Sequence, residues 1–567
     1  MKYFSWLLLT GLFFSCQHDK KKEVETEQKP TVVVRPKLPI ELTDSVLIKQ
    51  HLSQYKIDSA SIAQVVQFYA DTVGKHPANT LVWSDKGQLH GMASMFINLI
   101  DHAEDDGLPM KSYHTDDIEK LYLEATDSTN FENAAGRLLR QELDVLLTAS
   151  FFKYADQLWK GRIDPNKKQW FVKRKSFDYS KILHSLLNGS VSFTTYEPLH
   201  REYGLLRKAL QKYRQIEKDG GWPLLTAAAY KNLAIGDTSQ AVFLLAKRLQ
   251  ITDDIPKSAI DSVFNTPLVE GLKKFQKRHG LPENAIMGPK TIQQLNIPVE
   301  KRINQILVNM ERWRWVPAGR EGTYIGINIP EFVLHVFENN KQVWQMDVIV
   351  GQAATTTPIF DGELEFIVFN PSWSVPRSIS VNEILPKLKA NPNYLQAHEM
   401  EAYALGGGNK PVNTDQVDWK ALTSSTLRYS FRQKPGKKNP LGRVKFLFPN
   451  AYEVYMHDTP NHQLFNRTER GFSHGCIRLS DPLKLQEYLM KDDTLWTPAK
   501  VQQIWAKGEE KYIRLKKKIP VFLAYFTTWQ DSAGNLHFRE DLYGHDAQLA
   551  EDLLFPQPEQ LIQDINL

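Results

Sequence analysis

Cys476 stands in the run Ser473-His474-Gly475-Cys476-Ile477-Arg478-Leu479, nineteen residues beyond His457. A thiol attacks carbonyl carbon as its thiolate, which is scarce near neutral pH unless a base or a cation stands beside it. A histidine brought alongside by chain folding supplies the base. His457 belongs to Val454-Tyr455-Met456-His457-Asp458-Thr459-Pro460-Asn461-His462. If residues 451–457 form a strand, the period of two turns Tyr455 and His457 to one face and Val454 and Met456 to the core. Cys476 and Arg478 alternate with Ile477 and Leu479 in the same way, and Gly475 permits close backbone approach just before the thiol. The chemistry these types and spacings could perform is nucleophilic acyl transfer. One thiol with scattered imidazoles lacks the paired ligand spacing of a zinc site, so no metal is expected, and no cofactor.

Only one other cysteine exists, Cys16. It follows Met1-Lys2, an apolar stretch from Tyr3 to Phe14, and Ser15. A short basic start and a hydrophobic run too short to span a bilayer make an export signal. The junction resembles a bacterial lipobox, with Phe13 where Leu is usual, which implies lipidation at Cys16; a plain signal peptide is the alternative. With Cys16 acylated, Cys476 is a lone thiol in a compartment where thiols normally pair. It is then either buried and inert or kept free for reaction.

The elements that must position these groups can be outlined from the pattern of the chain. With 42% hydrophobic and 24% charged residues over 567 positions, the chain reads as a globular protein of several domains. A net charge of +5 spread over 70 basic and 65 acidic side chains leaves no basic stripe for nucleic acid. After a signal peptide (1–16), residues 17–40 carry charge and proline without periodicity and predict a flexible tether. Residues 41–235 are helical in pattern: Leu143, Leu146, Leu147, Phe151, Tyr154, Ala155 and Leu158 form a core stripe that stops at Gly161. A smaller helical unit follows at 236–298, then a connector at 299–321. From 322 the period becomes two, with Glu338-Asn339-Asn340-Lys341 as a hairpin turn between Phe332–Phe337 and Val343–Val350. A β domain is therefore expected over 322–500, with 501–567 as a C-terminal extension. The stretch at about 373–450, containing Gly406-Gly407-Gly408, is too long for a plain connection and is a candidate lid.

The sequence His457 to Arg478 resembles the catalytic motif of the L,D-transpeptidases: His, a loop, then Ser-His-Gly-Cys-hydrophobic-Arg. Asn370-Pro371-Ser372-Trp373-Ser374-Val375-Pro376 and Leu441-Gly442-Arg443-Val444-Lys445-Phe446 are similar to that family's large periplasmic subgroup. Phe275-Gln276, Gly280-Leu281, Gly288 to Thr291 and Leu295-Asn296 resemble a three-helix peptidoglycan-binding domain, although Glu283-Asn284-Ala285 replaces its usual Asp-Gly turn. The resemblance implies a multidomain α+β protein: helical scaffold, peptidoglycan-binding domain and mostly β catalytic domain with a lid. It implies Cys476 as nucleophile and His457 as base, oriented by a backbone carbonyl at Asp458. The amides of Gly475 and Cys476 become oxyanion donors, and Arg478, Tyr455, Trp373 and His474 contacts for the stem peptide. The implied reaction joins a tetrapeptide donor to an amine acceptor of peptidoglycan with loss of D-Ala, giving 3→3 cross-links. The alternatives are an L,D-carboxypeptidase, or a wall-binding lipoprotein without turnover.

Overall fold

The computed structural model describes residues 44–554, apart from 73–80, 86–87, 131–132, 174 and 194–198. The signal, the tether and Cys16 lie outside the described residues.

The helical region is organised on α1 (Ala134–Lys160). Asn133 caps it by accepting from the Gly136 amide, and it ends at Gly161. Gly161 has φ +92°, and a Cβ there would stand 2.6 Å from both Glu311 Oε1 and Trp315 Nε1. Those two residues belong to α2 (Val299–Trp315). The expected connector is therefore mostly a buried helix. Its Glu311 pairs with Arg314 at 2.7 Å inside the molecule and accepts from the Ile163 amide at 2.9 Å. Removing one partner of such a pair would strand a buried charge, a loss of about 3–5 kcal/mol.

Residues 240–296 form three helices, Gln240–Ile251, Thr266–Arg278 and Pro289–Asn296, around a core of their own. Arg278, buried, forks onto both oxygens of Asp254 at 2.6 Å, and its Nη1 reaches the Leu536 carbonyl. The unit is docked on the C-terminal hairpin, where a Cβ on Gly280 would press on Arg539.

Strands of the main sheet are β1 (Trp170–Phe171), β2 (Thr323–Asn328), β3 (Val333–Glu338), β4 (Lys341–Gly351), β5 (Ile359–Phe369), β6 (Val444–Leu447), β7 (Met456–His457), β8 (Ile477–Leu479) and β9 (Lys511–Ala524), and Gly471–Ser473 adds a short parallel pairing with the end of β4. Their order is β6-β7-β8-β4-β3-β2-β9-β5-β1, and β6 also pairs with β5, so the sheet closes on itself. Asn339 and Asn340 both take positive φ in the β3–β4 turn, as a two-residue hairpin of this twist requires. Residues 501–554 of the expected extension are integral to this fold. β9 lies between β2 and β5, and the shared core runs from the helical region through the sheet to Leu553. β1, contributed by the helical region, pairs in parallel with the start of β5.

The expected lid is a module with a separate core and a three-stranded sheet, Trp373–Ser374, Tyr429–Gln433 and Met400–Ala404. It is shorter than 373–450, because Val444–Leu447 is β6 of the main sheet.

Candidate active site

β7 and β8 run parallel, with Met456 opposite Ile477 and His457 opposite Arg478. Met456 and Ile477 are fully buried. Alternation then puts Tyr455, His457, Cys476 and Arg478 on the other face, side by side. The strand holding His457 is two residues long, not the seven of 451–457, because the chain turns at Asn450–Glu453. Glu453 takes φ +56°, a left-handed conformation that costs a non-glycine residue about 1–2 kcal/mol. The Cys476 thiol points at the carbonyl of this residue, Sγ to O 3.8 Å.

His457 is buried, and its Nδ1 donates to the Asp458 carbonyl at 2.5 Å. That bond assigns the proton to Nδ1 and leaves Nε2 with a lone pair. The Asp458 carboxylate is occupied elsewhere, accepting from the Arg443 and Thr459 amides at 2.8 and 2.7 Å. Gly442 makes room for it, since a Cβ there would sit 2.3 Å from Oδ2. Burial, then the charges of Arg478 and Lys445, push the His457 pKa down to about 3, so the imidazole is neutral. Burial pushes the Cys476 thiol up, against hydrogen bonds from Tyr455 and the charges of Arg478 and Lys445. The resting pair is therefore thiol and neutral imidazole, and the site is built to stabilise negative charge on sulfur once it develops.

Lys445 was not singled out by type or spacing. It stands opposite His457 across β6–β7, with its ammonium 5.4 Å from the centre of the Tyr455 ring. Arg478 is half-buried and is in no salt bridge among the described residues, while Lys445 feels the opposite charge of Glu510 as well as that of Cys476. The charges of both cations act on the thiol.

The turn before the nucleophile is braced from three sides. Gly475 has φ +111°. Its carbonyl accepts from Thr357 Oγ1 at 2.8 Å, and the Ser473 carbonyl accepts from Thr355 Oγ1 at 3.0 Å. Tyr543, near the C-terminus, donates to the Gly351 carbonyl and accepts from the Thr357 amide. Ser473 Oγ donates to the Cys476 carbonyl and accepts from the Gly475 amide at 3.1 Å. The Gly475 amide, one of the two expected oxyanion donors, donates to Ser473 in this structure. The Cys476 amide makes no such bond among the described residues. The threonine run 355–357 was the one signal of this bracing in the sequence.

His474 is exposed, and its Nε2 lies 2.8 Å from Glu383 Oε1 of the inserted module. Glu383 sits in a π-turn at Ser380–Ile384, just before Pro386. The insertion therefore touches the nucleophile turn. Trp373 is partly buried against the core of the insertion.

Three family models match the chain: "L,D-transpeptidase catalytic domain" over residues 322–502, "Scaffold domain" over 63–210 and "Putative peptidoglycan binding domain" over 238–295. A "Putative L,D-transpeptidase" of Haemophilus influenzae is 32% identical over 265 residues, 46% of this chain and 53% of that protein, so the match spans about half the relative's length. Among solved structures, the L,D-transpeptidase (residues 123–326) of Xylanimonas cellulosilytica is 16% identical with TM-score 0.18, covering 52% of this chain and 97% of that one. An L,D-transpeptidase of Stackebrandtia nassauensis is 12% identical with TM-score 0.21, covering 52% and 95%. Overlaps that low carry no weight. The three domain matches do: this chain joins a scaffold domain and a peptidoglycan-binding domain to a catalytic domain of the L,D-transpeptidase family.

Proposed function

We propose that the protein forms 3→3 cross-links between peptidoglycan stem peptides through a thioester on Cys476. The observation carrying this reading is the shared face of β7 and β8, where Tyr455, His457, Cys476 and Arg478 stand together and His457 is tethered through Nδ1 with Nε2 unprotonated. His457 Nε2 takes the thiol proton as sulfur adds to the carbonyl between the third stem residue and terminal D-Ala. The oxyanion is held by the Cys476 amide. Collapse breaks the C–N bond, and the leaving amine takes the proton back from His457. An amine of a second stem then adds to the thioester, gives its proton to His457, and the C–S bond breaks to restore the thiol. Arg478 and Lys445 receive carboxylates of the stem by charge-assisted bonds.

Incubating the full chain with tetrapeptide muropeptides and following products by mass tests the reading. Release of D-Ala with cross-linked dimer is expected. D-Ala with tripeptide alone would assign water as the acceptor, and no D-Ala would defeat the proposal.

The site works at the cell wall, and we infer a periplasmic protein held to a bacterial membrane through lipid on Cys16. Cys16→Ala is expected to lose incorporation of labelled fatty acid; unchanged labelling would remove the anchor from the account.

The insertion gates the cleft, supported by its Glu383–His474 contact. Gly406 and Gly408 take φ +84° and +78°, and a Cβ on Gly407 would lie 3.0 Å from that of Ala404. Replacing all three with alanine would shift the conformation of this loop. Turnover should change more than the melting temperature, whereas unchanged kinetics would reduce the segment to decoration.

A further inference from the structure

The helical region delivers an aromatic ring to the surface against Tyr452. Phe171, on β1, is 41% exposed, and Tyr452 is 39% exposed. Their ring centroids are 5.3 Å apart with planes 30° from parallel, and Phe360 supports Tyr452 from behind at 4.9 Å. The pairing of Phe171 with Phe360 across β1–β5 fixes the first ring by backbone register. Two large aromatics kept at the surface, in contact and tilted 30° to one another, with a third ring against Tyr452, form an apolar shelf. Tyr452 directly precedes Glu453, whose carbonyl lies 3.8 Å from Cys476 Sγ. With consecutive Cα atoms about 3.8 Å apart and a ring reaching beyond its own Cα, the shelf begins on the order of 10 Å from the sulfur, the span of about three extended residues.

Resting on the reading above, we propose that Phe171 and Tyr452 form a carbohydrate-stacking shelf, seating the sugar ring that carries the stem peptide while the third residue of that stem reaches Cys476. The apolar face of a pyranose suits such rings, and the three-residue spacing places the sugar on the shelf when the scissile carbonyl is at the thiol. The scaffold domain is then part of the substrate site, because Phe171 comes from it. A free peptide would use Arg478 and Lys445 but leave the shelf empty.

The test is binding to the full chain carrying Cys476→Ala, which holds substrate without turnover. Calorimetry would compare a disaccharide-tetrapeptide with the same peptide lacking sugar. The disaccharide form should bind about threefold to tenfold more tightly, the size of a ring-stacking contact. Phe171→Ala and Tyr452→Ala should each erode that preference, while Phe171→Trp and Tyr452→Trp keep it and show that the fold survives. The proposal is overturned if the sugar adds nothing, or if the preference persists in both alanine variants. Failure of the catalytic reading is separate, and shows as absence of D-Ala release by the unmodified chain.

Discussion

Cys476→Ala abolishes acylation. Intact mass followed against time should show no adduct with a carbapenem-type β-lactam, an acyl donor expected to label the native thiol, and no D-Ala should leave a tetrapeptide. The substitution removes one half-buried sulfur whose partners are the Glu453 carbonyl and the Tyr455 groups, none of them a brace of the fold. A melting temperature close to that of the native chain is therefore expected beside the loss. An adduct forming at the native rate would locate the nucleophile elsewhere.

His457→Ala should slow the same adduct by ~10²–10⁴-fold, the usual cost of removing a positioned general base. Its imidazole is held neutral down to about pH 3, so at neutral pH it accepts a proton without first having to lose one. His474→Ala is expected to cost less than about tenfold, since its exposed ring makes a surface pair with Glu383 and such pairs contribute little. The backbone that positions Cys476 is braced through Ser473, Thr355 and Thr357, which alanine at 474 leaves in place. If His474→Ala were as slow as Cys476→Ala while His457→Ala stayed fast, the base would be misassigned and the nucleophile would stand.

What could be read from the sequence was local. The stripe from Leu143 to Leu158 announces α1 because helical periodicity is written in consecutive turns, and Gly161 ends it by its own conformational freedom. Asn339-Asn340 announces the hairpin because both residues tolerate the left-handed region. Alternation likewise placed four site residues on one face, although the strand under His457 proved to be two residues long. What stayed hidden depends on partners far apart in the chain. β1 is two residues from a helical domain, and β9 carries the run Lys516-Lys517-Lys518, which falls in a register break against β5, so no local rule would put the Val521–Ala524 that follows beside β2 in a core sheet. Lys445 looks like any exposed lysine of an edge strand until His457 is laid against it. The commitment of the Gly475 amide to Ser473 is a matter of ångströms, and Tyr543 reaches Gly351 from the far end of the chain.

The central place of β9 also sets the order in which the protein can become itself. Ribosomes deliver β2 roughly 200 residues before the strand that must lie beside it, and contacts of such separation are slow to form. β5 waits for the same partner, so the nascent sheet has two open edges until residue 524 is made. A product ending between Cys476 and β9 would carry Cys476 and His457 on an unclosed sheet, also lacking the Tyr543 that steadies the turn through Gly351 and Thr357. Closure of the sheet thus waits on a strand made after both Cys476 and His457.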